Sequence, residues 1–227
     1  MPTINSAQKG YGVASGTVYS TGRSANATFA FNNQTGNASF ATGYRAVAAR
    51  GGGVQHYFYR AFFRFDTSGI SSAPSDATIT ISGYSGFGNT GNLRLVKGTF
   101  ANNSTCAASD FGSYVTENTA YSNEITSWST NGDNDITLNS DALSDMASLD
   151  HFILFLVHET HDFDNTAGSS GYNGVYGINF SSTVSIDYTE AASGPANVTS
   201  LSSIAKADIT SVNTIAIADM SSINSVS

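Results

Sequence analysis

An all-β fold, a sandwich or barrel of short strands with one short helix and a C-terminal repeat segment, is what this 227-residue sequence predicts. Three observations point there. Short stretches of alternating apolar and polar residues fill positions 11 to 190, and clusters of Gly, Asn, Ser and Asp separate them. Only 11% of residues are charged, against about 25% in an average soluble domain, and Ser, Thr, Asn and Gly stand in their place. A chain of this length buries roughly 70% of its unfolded surface, so a core is expected without disulfide staples.

The elements follow in order. Residues 11–20, 26–31 and 37–49 are rich in small side chains and read as edge strands and loops of weak register. HYFYRAFFRFD, 56–66, is the clearest strand: Tyr57, Tyr59, Ala61, Phe63 and Phe65 form one face, and Phe58, Arg60, Phe62 and Arg64 the other. ATITISGY, 77–84, points Ile79 and Ile81 inward; LRLVKG, 93–98, and DITLN, 135–139, repeat the theme. SDALSDMASL, 140–149, spaces Leu143, Met146 and Leu149 as one side of a short helix behind an N-cap Ser140. HFILFLVHE, 151–159, is almost continuously apolar and predicts a central strand covered on both faces. GINFSSTVSIDY, 177–188, supplies one closing strand.

Composition changes at the Gly- and Pro-containing stretch 191–196, which separates a 1–190 domain from residues 197–227. The latter repeat with a period of 11, as NVTSLSSIAKA, DITSVNTIAIA and DMSSINSVS. Val198, Ile209 and Met220 superpose, as do Leu201, Val212 and Ile223, and Ile204, Ile215 and Val226. Wound as a helix the period gives a right-handed coiled-coil seam; laid out as β-structure each unit is one short layer. In both forms a single copy has too little apolar surface to stand alone, so these nine residues are expected to drive self-association or docking.

Charge and motifs exclude several functions. Nine scattered Lys and Arg against 17 Asp and Glu, a net of −8, build no phosphate-neutralising stripe, so nucleic acid is not an expected partner. No apolar run reaches membrane-spanning length, so no membrane partner is expected. The opening MPTINSAQKGYG lacks the basic and apolar regions of a secretory signal. Cys106 stands alone and reads as a small buried residue. HETH at 158–161 is one residue short of the zinc motif, and at a strand end its two histidines face opposite sides. Asp133 and Asp135, and Asp162 and Asp164, are candidate calcium ligands that lack the rest of a calcium loop. No catalytic constellation or cofactor motif stands out, so no enzyme activity and no cofactor are expected. Flat aromatic faces beside polar residues suit sugars; Tyr172 and Tyr176 offer one such pair, and Phe58 and Phe62 with Arg60 and Arg64 another, unless a neighbouring element covers them.

YRAFFRFDTSGI at 59–70 followed by ATITISGY at 77–84 resembles the opening of DNRLRE-type modules, jelly-roll domains related in shape to carbohydrate-binding modules. The resemblance extends over about 130 residues and implies a jelly-roll-like β-sandwich. The tail, with SVNTIA at 211–216, resembles the terminal repeats of bacteriophage virion proteins. Together they imply a non-enzymatic structural protein of a phage particle, a head decoration or tail or fibre component, assembled in the host cytoplasm. It would be a homotrimer joined through its repeat and in contact with other virion proteins. The alternative is a carbohydrate-binding module or adhesin bound to surface glycans, or the subunit of an extracellular filament.

Overall fold

In a computed structural model of the chain, residues 1–85 and 88–191 are described, together with the backbone of 200–201, 204–205, 211–212 and 215–216; of residues 29, 38–40 and 117 only the backbone is described. The chain divides into two units, Met1–Thr189 and Glu190–Ser227. The first is all-β with a few short helices. Its order is β1 (Thr3–Asn5), β2 (Gln8–Gly16), α1 (Tyr19–Ser24), β3 (Phe29–Phe31), β4 (Asn37–Ala48), β5 (Val54–Asp66), β6 (Asp76–Tyr84) and β7 (Leu93–Lys97). A 3₁₀ turn (Ala108–Gly112), α2 (Ser113–Glu117), β8 (Asp133–Thr137), α3 (Ser140–Ser148) and β9 (His151–His158) come next. A π-helical turn (Glu159–Phe163), β10 (Asn173–Asn179) and β11 (Ser185–Thr189) complete it.

The named strands of this unit pair antiparallel within one branched ladder. β5 carries β2 along one edge, while its other edge is shared, with β4 against 54–59 and β9 against 61–66. β3 flanks β2 and β7 flanks β9. A second layer runs β1-β11-β6-β8, and β10 joins the two by pairing with both β4 and β6. Alternation fills the space between layers: Phe63, Phe65, Leu95, Phe152, Leu154 and Leu156 meet Ile79, Ile81, Ile136, Ile178 and Ile186, with Ala142 and Met146 of α3 closing one end.

β9 is covered on both faces, as its unbroken apolar run requires. Ile153, Phe155 and Val157 point away from the interlayer core and pack with Phe62 under Phe100, Cys106 and Tyr114. Phe58 and Phe111 form a neighbouring cluster against Ala14 and Tyr44, joined by Tyr19 of α1. The outer face of the first layer is therefore a second core beneath α1 and the 98–118 stretch.

Four expectations are corrected. β2 is not a loose edge, because it pairs with β5 over nine residues. Its glycine marks close approach instead: a Cβ at Gly10 would lie 1.9 Å from the Phe31 carbonyl and 2.6 Å from the Phe62 ring. The closing segment is two strands, broken where Asn179 Oδ1 accepts the Ser181 N–H at 3.0 Å and its carbonyl accepts that of Ser182 at 3.2 Å. α3 is capped by Asn139, whose side chain accepts the Ala142 N–H at 3.1 Å and donates to the Ala120 carbonyl at 2.7 Å. It is also accompanied by α1, α2, the 3₁₀ turn and the π-helical turn.

In the second unit, Ser200–Leu201 pairs with Ile204–Ala205, and Ser211–Val212 with Ile215–Ala216. The two pairs are offset by 11 residues (211 minus 200), the period of the sequence repeat. At these positions the backbone is extended and paired, not helical.

Candidate functional site

Beyond the reach of the second layer, the odd face of β5 changes character from phenylalanine to tyrosine. The strand register sets Tyr57 between Ser15 and Arg45, and Tyr59 beside Val13. Tyr11 and Thr28 complete the lining of a surface groove of about 390 Å³. Its floor is a small apolar cluster in which Val13, Tyr59 and Val175 are buried and Tyr11 and Tyr57 half-buried. The Tyr57 and Tyr59 rings lie 6.5 Å apart at 22°, and Tyr11 is held between Phe31, at 5.0 Å, and Phe180, at 6.4 Å.

Burial raises the Tyr59 phenol above its ordinary range, and Arg45, which hydrogen-bonds it, pulls in the opposite direction. Burial also raises Tyr11. These two phenols therefore stay neutral donors and acceptors at physiological pH. Among the described residues no carboxylate lines the groove, although the chain as a whole is acidic. Rings, hydroxyls and one guanidinium suit a flat, hydroxyl-rich ligand.

The tyrosines that the sequence offers as a platform do not form one. Tyr176 is 4% exposed and its hydroxyl donates to the Gly91 carbonyl; Tyr172 is half-buried, its hydroxyl donating to the Thr90 carbonyl at 2.9 Å. Phe58, Arg60 and Phe62 are covered rather than displayed. Arg60 makes a two-pronged bond to Asp162 at 2.8 and 2.9 Å and donates to the carbonyls of Phe111 and Arg23, at 2.5 and 2.7 Å. Arg64 reaches His151 at 3.3 Å.

The four candidate calcium ligands are dispersed. Both Asp162 oxygens are bound by Arg60, and Tyr114 donates to one of them, while Asp164 is exposed on the far side of the turn. Asp133 accepts from Ser82, and Asp135 from Thr80 at 2.7 Å. The expectation that His158 and His161 diverge is corrected: the Glu159–Phe163 turn folds their rings to 4.9 Å. Among the described residues no group of three or more His, Cys, Asp or Glu is placed to hold a metal. Cys106 is buried, its thiol pushed up to about 12 by burial.

Of the repeat positions, Leu201, Ile204, Val212 and Ile215 sit on the paired strands of the second unit. Val198, Ile209, Met220, Ile223 and Val226 lie outside the described residues. Among the described residues no helix is long and apolar enough to cross a membrane.

The residues missed in the sequence are Tyr11, Arg45, Tyr57 and Tyr59. The signal available was the choice of Tyr over Phe at 57 and 59, a polar tip on a face otherwise built for a dry core. No protein-family model matches the chain, and no curated protein matches it.

Proposed function

We propose that the Met1–Thr189 unit is a non-enzymatic saccharide-binding module that serves attachment to a surface glycan. The observation that carries this reading is the tyrosine-walled groove with Arg45 in its lining and, among the described residues, no carboxylate there. Sugar C–H faces stack on aromatic rings, and the equatorial hydroxyls find partners in phenols, in Ser15 and Thr28, and in the Arg45 guanidinium. Titration with a panel of neutral and charged oligosaccharides tests it. Tyr57→Ala and Tyr59→Ala are each expected to weaken binding about 10- to 100-fold, roughly 1.4–2.8 kcal/mol, with the fold retained by circular dichroism. Undiminished affinity in both variants overturns the assignment.

The 11-residue offset of the two β-pairs favours a second, compatible reading. The repeat joins copies of the chain, in a homotrimer, as expected of a structural protein of a phage particle that decorates the head or forms part of the tail or fibre and docks on other virion proteins. The first two units each contribute one paired β-layer, and layers of two residues per strand gain stability only from neighbours. Size-exclusion chromatography with light scattering is expected to give a trimer for the full chain and a monomer for a 1–192 truncation. An unchanged oligomer after truncation sinks this reading.

A further inference from the structure

His158 ends β9, is 0% exposed, and caps the Glu159–Phe163 turn: its Nδ1 accepts the His161 backbone N–H at 3.2 Å. That bond fixes the tautomer, so the proton sits on Nε2, 3.2 Å from the Thr90 carbonyl and 2.7 Å from the Tyr172 hydroxyl. Every donor and acceptor of the neutral ring is thus in use. The turn it starts is where several elements are tied together. Glu159 pairs with Arg94 of β7, Asp162 with Arg60 of β5, Arg23 of α1 donates to the Asp162 carbonyl at 2.6 Å, and Tyr19 to that of His161 at 2.5 Å. The following loop returns to the same place. His161 Nδ1–H donates to the Thr166 carbonyl at 2.6 Å, Gly168 N–H to Tyr44 Oη at 3.1 Å, and Gly171 N–H to the Ala46 carbonyl at 2.8 Å.

We propose that His158 is an acid-sensitive latch: a proton taken up at Nδ1 undoes the cap of the Glu159–Phe163 turn and releases residues 159–172 from β4 and β5. Protonation converts the acceptor that holds the His161 N–H into a second donor. The surroundings offer the imidazolium little. The His161 ring lies 4.9 Å away, tilted by 31°, and Tyr44, Tyr172 and, beyond Tyr44, His56 bring no negative charge to it. Asp162 is engaged by Arg60, Arg23 and Tyr114, and Glu159 by Arg94.

Burial first and His161 second hold His158 down to about 4, against a partial pull upward from the Thr90 carbonyl and Asp162. The closed turn therefore stays neutral through physiological pH. An opened turn regains the ordinary value of about 6.5 and binds the proton, so opening is favoured as pH falls from about 6.5 to about 4 and gains nothing above 6.5. Linkage between those two values gives an opening equilibrium about 30-fold larger at pH 5.0 than at pH 7.5.

Amide hydrogen exchange of the full chain, corrected for intrinsic rates, tests the latch. The amides of His161, Thr166, Gly168 and Gly171 are expected to lose protection about 30-fold between pH 7.5 and 5.0, while the β5–β9 ladder keeps its own. His158→Asn retains a capping acceptor that does not titrate and should make the loop insensitive to pH; His161→Gln should keep a response of the same sign, smaller because His161 is one of the two groups holding His158 down. A flat wild-type profile, an equal loss in the β5–β9 ladder, or a pH response surviving in His158→Asn overturns the proposal. Should His158→Asn fail to fold, titration of the His158 ring in the wild-type chain decides: a midpoint near 6.5 with no change in loop exchange overturns the latch, and a depressed midpoint tracking that exchange supports it.

Discussion

Asp162→Ala is expected to destabilise the protein by about 3–5 kcal/mol, the cost of leaving a buried charge without its partner. Asp162 and Arg60 both have fully buried side chains, 102 residues apart in sequence, and meet through two parallel bonds. Burial works against the charge on Arg60, but Asp162 and Tyr114 outweigh it and keep the guanidinium protonated. Phe111 and Tyr114 add their ring faces at 4.2 and 4.7 Å. Removal of the carboxylate leaves that cation with two backbone carbonyls in a dry site. It also removes the carboxylate partner of Tyr114, leaving its hydroxyl only the Asp162 carbonyl at 3.2 Å, and so loosens the α2 cover over β9. Replacing both partners, Arg60→Met with Asp162→Leu, removes the charge together with its counter-ion and should recover most of the loss. Guanidinium unfolding of the full chain, followed by circular dichroism, measures both; a wild-type midpoint for Asp162→Ala would show that the two carbonyls suffice.

The fold was legible wherever one local period decided it. Residues 151–158 could only be a strand buried on both faces, and Ile79 and Ile81 could only point inward. Legibility failed where the deciding partner was remote or the cue served two purposes. The small side chains of 11–20 suggest a weak edge when read locally, yet the strand pairs with β5 over nine residues, and glycine just before them, at position 10, admits the Phe62 ring and the Phe31 carbonyl. Asn179 looks like any residue of a polar strand until its side chain is seen closing a turn.

The groove was hidden for a related reason. Tyr57 and Tyr59 share their face with Phe63 and Phe65, and what separates core from surface along that face is where β4 gives way to β9 on the edge of β5. That boundary is a property of three strands. Tyr172 and Tyr176 look like a displayed pair when read locally, whereas both hydroxyls satisfy carbonyls of residues 90 and 91. The same non-locality hid the π-helical turn: only after β9 ends does Asp162 meet Arg60, and that meeting turns His158 and His161 toward each other.

Phe155→Ala is expected to cost about 3–5 kcal/mol, as much as a truncation between the two layers. The ring is 0% exposed and stands edge-on to Phe62 at 6.3 Å and to Phe100 at 6.2 Å, with Tyr114 at 6.2 Å. Edge-to-face pairs add about 0.5–1.5 kcal/mol to the area they bury. Gly98 passes so close that a Cβ there would lie 2.7 Å from the Phe155 ring, so the cavity left by alanine has backbone on one side and cannot collapse freely. The magnitude discriminates between two views of the 98–118 stretch. If it were a loop resting on the sheet, it would settle into the vacancy and the loss would fall near 1 kcal/mol, the centre of the range for ordinary substitutions. A loss in the upper range means that the outer face of the first layer is a core in its own right, held shut by Arg60 and Asp162 beside it. The two substitutions then touch one cooperative unit, and their combined effect should fall short of the sum of the single ones.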